Sequence, residues 1–202
     1  MSSQENKSKF GVSINGGLGF PLGDFNEVYK MGFGFNTSIF YALEETTELG
    51  SVIGYFSWSF DNSKFNNAFK DAGLEGNFNV AAPIHVLPLL IQVKFKLPRE
   101  DFNPYILIEG GIYYTSVQLS GTFTSPDTTI TFDEPTIKNS EAGMSFGLGT
   151  EIPSSENLEF DIRLTYHLVP TVNIYNFGSI GYQKDVSTNK FISVVAGVNY
   201  LF

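Results

Sequence analysis

The sequence predicts an all-β protein, a closed antiparallel up-and-down transmembrane β-barrel of about eight strands. Three observations support this fold class. Apolar and polar residues alternate with a period of two along the chain, which is the side-chain period of a β-strand. The segments that connect these alternating stretches are alternately short and long. The 202 residues include 20 Phe, 10 Tyr and 20 Gly, as expected where aromatic side chains face lipid and small ones fit a narrow interior.

The alternation is clearest in residues 158–169, LEFDIRLTYHLV, where one face is wholly apolar and the other carries both charge signs. In a membrane barrel the apolar face lies against lipid and the polar face lines the lumen. The same interpretation applies to 9–20, 32–43, 49–60, 84–97, 105–115, 141–152 and 191–202. In 49–60 it assigns to the lipid side Val52, Phe56, Trp58 and Phe60.

The connecting segments alternate in length. Short turns are predicted at 44–48, 98–104 and 153–157, and long loops at 21–31, 61–83, 124–140 and 173–190. Short turns at one end and long loops at the other are typical of transmembrane barrels, whose termini lie on the short-turn side. We therefore expect a flexible segment 1–8 and a single barrel domain 9–202, with the four long loops on the outer side.

Two of the long loops carry signs of local structure. Phe65, Ala68, Phe69 and Ala72 recur at helical spacing, and Gly73 is a suitable C-terminal stop. Residues 122–132 alternate on both sides of Pro126–Asp127. This second pattern predicts a hairpin that projects beyond the membrane.

Composition narrows the functional classes. The chain has 12 Lys plus Arg against 21 Asp plus Glu, a formal net charge of -9 and no Cys. Nucleic-acid binding needs clustered basic residues, so this partner is not expected. No run of 18 or more apolar residues predicts a transmembrane helix. The polar start MSSQENKSK shows no signal peptide, and we interpret it as a mature N-terminus.

A family resemblance follows from particular residues. Val194, Ala196, Val198, Tyr200 and Phe202 alternate up to a terminal aromatic, and IHVLPLLIQVKFKL at 84–97 is followed by PYILIEGGIYY at 104–114. These stretches resemble the small "porin family" outer-membrane β-barrels of Bacteroidetes, which have an OmpA/OmpX-like architecture. The resemblance implies a Gram-negative outer membrane, and a C-terminal signal at Val198, Tyr200 and Phe202 that the barrel-assembly machinery reads. It does not imply one function.

The polar faces place charged groups inside the predicted barrel. Burying an unpaired charge costs several kcal/mol, so these groups are expected to pair. If Leu97 pairs with Ile106, Lys94 falls opposite Glu109. Glycines at 143, 147 and 149 would leave room for long neighbouring side chains. The predicted lumen charge network is Lys94, Glu109, Glu151, Glu159, Asp161, Arg163 and His167.

Two further structural features are expected. Pro88 lies within a strand, which predicts a bulge near 87–89. Aromatic side chains that anchor a barrel at the membrane interfaces form belts. The predicted belt residues are Phe10, Tyr41, Trp58, Phe95 and Phe160.

The leading functional hypothesis is a non-enzymatic barrel with a charge-filled lumen, because eight strands enclose little more than their own side chains. It would act through its outer loops in envelope integrity or surface interaction. The expected partners are outer-membrane lipid, lipopolysaccharide and a surface protein, bound for example by a strand edge of the projecting 105–150 hairpin. No cofactor or metal is expected.

Three alternatives stay open. An ion or small-solute channel would conduct past Lys94, Glu109 and Arg163. An outer-membrane lipid hydrolase would need His167 near a serine such as Ser57 or Ser59. A soluble lipocalin-like barrel would turn its apolar faces inward.

Overall fold

The computed structural model describes residues 10–71, 73, 75–169 and 189–202. Neither of the two helices in these residues is long and apolar enough to cross a membrane. The elements, in chain order, are β1 (Phe10–Leu22), α1 (Asp24–Val28), β2 (Gly32–Glu44), β3 (Thr47–Trp58), α2 (Asn62–Asp71), β4 (Asn77–Ala81), β5 (Ile84–Lys96), β6 (Asn103–Val117), β7 (Ser120–Ser125), β8 (Thr128–Asp133), β9 (Ile137–Pro153), β10 (Leu158–Val169) and β11 (Asn189–Leu201).

Eight of these strands form a closed antiparallel barrel in the order β1-β11-β10-β9-β6-β5-β3-β2. The first and last strands close it, with Ile14 opposite Val198 and Gly11 opposite Leu201. Closure leaves no unpaired strand edge within the barrel. The predicted fold class and the strand number are confirmed.

The apolar faces point outward. On β10, Phe160, Ile162 and Leu164 are exposed on the outer wall, whereas Asp161 and Arg163 are buried in the lumen. A wall of exposed apolar side chains is the surface that a barrel presents to lipid. A lipocalin-like barrel has the opposite arrangement, so that alternative is wrong.

One strand faces the other way from its prediction. Val52, Phe56 and Trp58 of β3 are buried in the lumen, and the outward positions include Ser51 and Ile53. The pattern of β3 is ambiguous, because apolar side chains occur on both faces. Phe60, predicted on the same lipid-facing side, lies beyond β3 and is partly buried against the cluster at the outer end.

The pairing of β5 with β6 differs from the prediction by two residues. Phe95, not Leu97, lies opposite Ile106, so Glu109 lies opposite Gln92 and Lys94 opposite Leu107. A shift of two keeps every side chain on its predicted face. The β5–β6 register also continues unchanged through Pro88, so the expected bulge is wrong there. Within the described strands, a register shift occurs instead in the β2–β3 pairing, between Ala42 and Glu44 of β2.

The second and third long connections fold together outside the barrel. Strands β4, β7 and β8 form a separate sheet in the order β4-β7-β8, and α2 packs against β4. The helix and the Pro126–Asp127 hairpin are confirmed, and Gly73 has the positive φ of 75° suited to a helix C-terminus. The third loop spans 118–136, not 124–140, because β9 begins at Ile137.

The remaining loops are placed as follows. The first loop contains α1 and lies between Leu22 and Gly32, close to the predicted 21–31. Residues 170–188 of the predicted loop 173–190 and the predicted flexible segment 1–8 lie outside the described residues. Asn189 and Lys190 belong to β11.

Candidate functional site: the filled lumen and the outer sheet

Two lysines and two glutamates form the layer of the lumen nearest the short turns. Lys94 Nζ lies 2.5 Å from Glu151 Oε1 and 3.4 Å from Glu48 Oε2. Lys96 Nζ lies 2.6 Å from Glu151 Oε2 and also forms an ion pair with Glu48. Asn199 of β11 donates to Glu151 at 2.9 Å. The layer thus joins β3, β5, β9 and β11 across the barrel.

Glu48 is a lumen residue that the sequence interpretation missed, because it was assigned to the turn at 44–48. Its signal was present in the sequence. Glu48, Gly50 and Gly54 have the same parity on β3, which is a polar or small inward face. That parity identifies the true inward side of β3, with Val52, Phe56 and Trp58.

Arg163 occupies the middle of the lumen. Its guanidinium donates to Asn36 Oδ1 at 2.9 Å and to Gln92 Oε1 at 3.3 Å, and it lies 3.7 Å from Glu109 Oε1. Ser145 donates to the other oxygen of Glu109 at 2.5 Å. Arg163 and not Lys94 is therefore the basic partner of Glu109.

Two tyrosines of β6 fill space that glycines of β9 leave open. The Tyr105 hydroxyl donates to Asp161 at 2.5 Å, and its ring lies where a Cβ on Gly149 would stand. The Tyr113 ring lies against Gly143 in the same way. The expectation that the glycines on this strand make room for long side chains is confirmed. Glu159, also in the predicted network, is buried near the short turns.

The outer end of the lumen is filled by aromatic side chains. Phe25 and Tyr29 from the first loop insert over Phe56, Trp58 and Phe191, and Phe25 and Trp58 are each 1% exposed. Ring centroids are 5.3 Å apart for Phe25 and Trp58, and 4.8 Å apart for Trp58 and Phe191. Burial raises the pKa of Tyr29 above its usual range, which keeps the phenol neutral.

Trp58 is therefore not a membrane-belt residue, and that prediction is wrong. Its indole Nε1 donates to the carbonyl oxygen of Gly19 at 3.0 Å, which satisfies the one polar group of the ring in the lumen. Inward glycines at 19, 32 and 34 make the space, since a Cβ at each would meet the Trp58 or Phe56 ring.

His167 lies at the boundary between the polar and the aromatic layers. Its ring stacks on Phe191 at 4.2 Å, Nε2 lies 2.9 Å from Ser193 Oγ, and Nδ1 lies 3.3 Å from the Tyr113 hydroxyl. It faces the lumen, whereas Ser57 faces outward. The hydrolase hypothesis required His167 beside Ser57 or Ser59, and no such pair forms.

Ser57 belongs to a different cluster, on the outer wall. His85 Nδ1 lies 2.7 Å from the Tyr55 hydroxyl and 3.0 Å from Ser57 Oγ. Among the described residues no carboxylate contacts His85, so the third member of a Ser–His–acid triad is missing. No group of three His, Asp or Glu side chains in the described ranges could hold a metal ion.

The belt and terminal residues lie on the outer wall. Phe10, Phe95 and Phe160 are exposed there, near the short turns, and Tyr41 packs on Phe10 with ring centroids 4.8 Å apart. Val198, Tyr200 and Phe202 are also exposed on the outward face. The reading of these last three residues by assembly machinery stays a prediction.

The separate sheet of β4, β7 and β8, called the outer sheet from here on, has one covered edge and one open edge among the described residues. The edge of β4 is covered by α2. The side-chain amide of Asn62 forms hydrogen bonds with the backbone N–H and C=O of Val80, and that of Asn66 does the same with Phe78, all at 2.6–2.7 Å. Between helix and sheet lies a second apolar core. Its members are Phe60, Phe65, Phe69, Phe78, Val80, Ala82, Leu119, Phe123 and Phe132.

The other edge is β8. The backbone amide of Glu134 bonds the carbonyl oxygen of Leu119 at 2.8 Å, so alternation along the ladder directs Thr128, Ile130 and Phe132 toward β7. The N–H and C=O groups of Thr129, Thr131 and Asp133 then point away from the sheet. No strand among the described residues pairs with this edge.

Comparison with known proteins identifies the fold. No protein-family model matches the chain, and no curated protein sequence does. The structure of Neisserial surface protein A is similar over 96% of this chain and 97% of that one, with 13% identity and a TM-score of 0.57. The structure of the attachment invasion locus protein of Yersinia pestis in complex with the heparin analogue sucrose octasulfate is similar over 96% of this chain and 99% of that one, with 14% identity and a TM-score of 0.51.

The outer-membrane protease OmpT of Escherichia coli is similar over 98% of both chains, with 11% identity and a TM-score of 0.51. These three proteins differ in what their names say they do, and identities this low establish the fold alone. The chain therefore has the fold of the small bacterial outer-membrane β-barrels, the OmpA/OmpX-like architecture that its sequence resembles.

Proposed function

We propose that this chain is a non-enzymatic protein of the bacterial outer membrane that binds a surface partner through its outer sheet, while its lumen stays closed. The observation that carries the proposal is the difference between the two sheet edges. One edge is covered by asparagine amides, and the other presents backbone groups that no described residue pairs.

The sequence of β8 suits strand addition. TTITFD is rich in β-branched residues. Charged side chains and prolines usually protect an exposed edge from pairing, and Thr128–Phe132 contains neither. An extended peptide that docks here would gain backbone hydrogen bonds at Thr129 and Thr131. We therefore assign as occupant an extended segment of a partner protein at the cell surface.

The filled lumen supports binding rather than conduction. The channel alternative needs a wet path past Lys94, Glu109 and Arg163, yet these side chains are 3–6% exposed and bonded to protein groups. Above them the aromatic cluster of Phe25, Trp58 and their neighbours occupies the outer end. Planar-bilayer recordings of the inserted barrel should show no discrete conductance steps, and reproducible steps lost in Arg163→Ala would favour the channel.

Strand addition can be tested with a labelled synthetic peptide that copies residues 119–125, the sequence β8 already pairs with on its other side. We expect binding by the refolded barrel, and none when alternate peptide nitrogens are methylated. Thr131→Pro removes an N–H from the free edge and is tolerable there, so it should abolish binding. Thr131→Val keeps the backbone N–H and should bind normally.

Two results would count against strand binding at β8. One is equal binding of the methylated and unmethylated peptides. The other is equal binding by the barrel with Thr131→Pro and by the unmodified barrel.

A further inference from the structure

The outer wall of the barrel, formed by the outward-facing side chains of its eight strands, becomes more polar near the end that carries the long loops. Along the strands its outward positions are mostly apolar, but at this end they include His85, Lys138 and Lys190. No described outward position at this end of the barrel strands carries a carboxylate. Although the chain has a net charge of -9, the charged groups on this part of the wall are thus basic.

Three of the polar side chains lie in one row across the strands. His85 of β5 is opposite Ser116 of β6, and Ser116 is opposite Lys138 of β9. Ser57 of β3 continues the row on the other side of His85. Side chains directly opposite on one face have Cβ atoms about 5 Å apart. The ends of the His85, Ser116 and Lys138 side chains can therefore approach one group of phosphate size.

The imidazole of His85 is held in one orientation. The hydroxyls of Tyr55 and Ser57 converge on Nδ1 at 2.7 and 3.0 Å. We assign Nδ1 as the acceptor of these two hydroxyls, which places the ring proton on Nε2. Within the part of the chain that the structure describes, Nε2 has no hydrogen-bond partner, so it is a free donor beside Ser116.

Aromatic side chains place this row at the membrane interface. Tyr55 packs against Phe35 with ring centroids 5.6 Å apart, and Tyr114 is exposed two positions from Ser116. Tyrosines that border an apolar wall mark the level of the lipid headgroups. At that level the anionic groups of the outer leaflet are lipid phosphates.

We propose that His85, Ser116 and Lys138 bind a phosphate of lipid A, the lipid moiety of lipopolysaccharide, in the outer leaflet. An imidazole N–H, a hydroxyl and an ammonium supply three donors and a positive charge, which match the several acceptor oxygens of a phosphate. This inference rests on the outer-membrane location proposed above, and it is independent of strand binding at β8.

The test is native mass spectrometry of the detergent-purified barrel titrated with diphosphorylated lipid A. Lys138→Gln, whose side chain is exposed and outside both cores, should weaken retention of one lipid about fivefold, since one basic residue at an anionic surface contributes about that factor. His85→Phe, which keeps an aromatic ring, should weaken it further. Lys190→Gln is the matched control, since Lys190 lies on β11, two strands away from Lys138 on β9 and outside the row, and this variant should retain the lipid normally.

Two further probes identify the ligand. Lipid A without phosphates should bind the unmodified barrel more weakly than diphosphorylated lipid A binds the Lys138→Gln barrel, because all three donors then lose their acceptor. Inorganic phosphate at millimolar concentration should not displace the lipid. The proposal is overturned if dephosphorylated lipid binds equally well, if Lys190→Gln loses as much lipid as Lys138→Gln, or if inorganic phosphate competes, which would indicate a free-anion site.

Discussion

The side-chain amide of Asn62 takes the place of a neighbouring strand for Val80. Its Nδ2 donates to the Val80 carbonyl oxygen at 2.7 Å, and its Oδ1 accepts from the Val80 amide at 2.6 Å. Asn66, one helical turn on, does the same for Phe78. Four residues of helix and two residues of strand advance by nearly the same length, so the two amides match alternate positions of β4.

We expect this pairing to stabilise the outer sheet locally. Asn62→Ala or Asn66→Ala should each cost about 1 kcal/mol and speed hydrogen exchange of the Val80 or Phe78 amide, respectively, by several-fold. Asn67→Ala, at an exposed position of the same helix, is the control and should leave both amides unchanged. Unchanged exchange in the first two variants would contradict the bonding.

The single tryptophan gives a direct test of the closed outer end. Because Trp58 is buried among Phe25, Phe56 and Phe191, we expect blue-shifted emission that brominated lipid quenches only weakly. Phe33→Trp in a Trp58→Phe background places an indole on the lipid-facing wall and should be quenched strongly. Strong quenching of Trp58 itself would restore its assignment to the membrane belt.

The partner of Lys94 can be established by double-mutant cycles. Lys94→Met and Glu151→Gln each leave the buried layer of two lysines and two glutamates with one uncompensated charge, and each should cost about 3–5 kcal/mol in the free energy of unfolding. Combined, they should couple by about 0.5–3 kcal/mol. Lys94→Met with Glu109→Gln should be nearly additive, because Glu109 is bonded to Arg163 and Ser145.

The free energy of unfolding of each single and double variant can be measured by urea unfolding in phospholipid vesicles, followed by Trp58 fluorescence. A strong coupling between Lys94 and Glu109 would show that the sequence-based register was right and the observed one wrong.

Two strand glycines should differ sharply on substitution. A Cβ on Gly34 would lie 2.1 Å from Cδ1 of Phe56, whereas a Cβ on Gly16 would have its nearest neighbour at 3.9 Å. Gly34→Ala must displace the aromatic cluster and should cost about 1–3 kcal/mol. Gly16→Ala, on the lipid-facing side, should be tolerated. Equal unfolding midpoints for both variants would argue that the outer lumen is loosely packed.

Much of the fold could be predicted from local pattern. The lumen side of β10 followed from Asp161 and Arg163, and the outer hairpin from Pro126–Asp127, because a period of two and a turn signal are both local properties. The face of β3 could not be decided by counting apolar residues, since Trp58 and Ile53 lie on opposite faces. The acidic Glu48 was the better marker.

The sequence by itself determined which residues form strands, where turns interrupt them, and that charged side chains must collect on one side of the wall. Only the tertiary structure decided which charges meet. Lys94 and Glu151 lie on β5 and β9, which are not neighbouring strands, and Arg163 reaches Gln92 across the lumen. Such contacts depend on barrel closure and on the register of every strand pair between them, and a pattern within one strand carries no information about either.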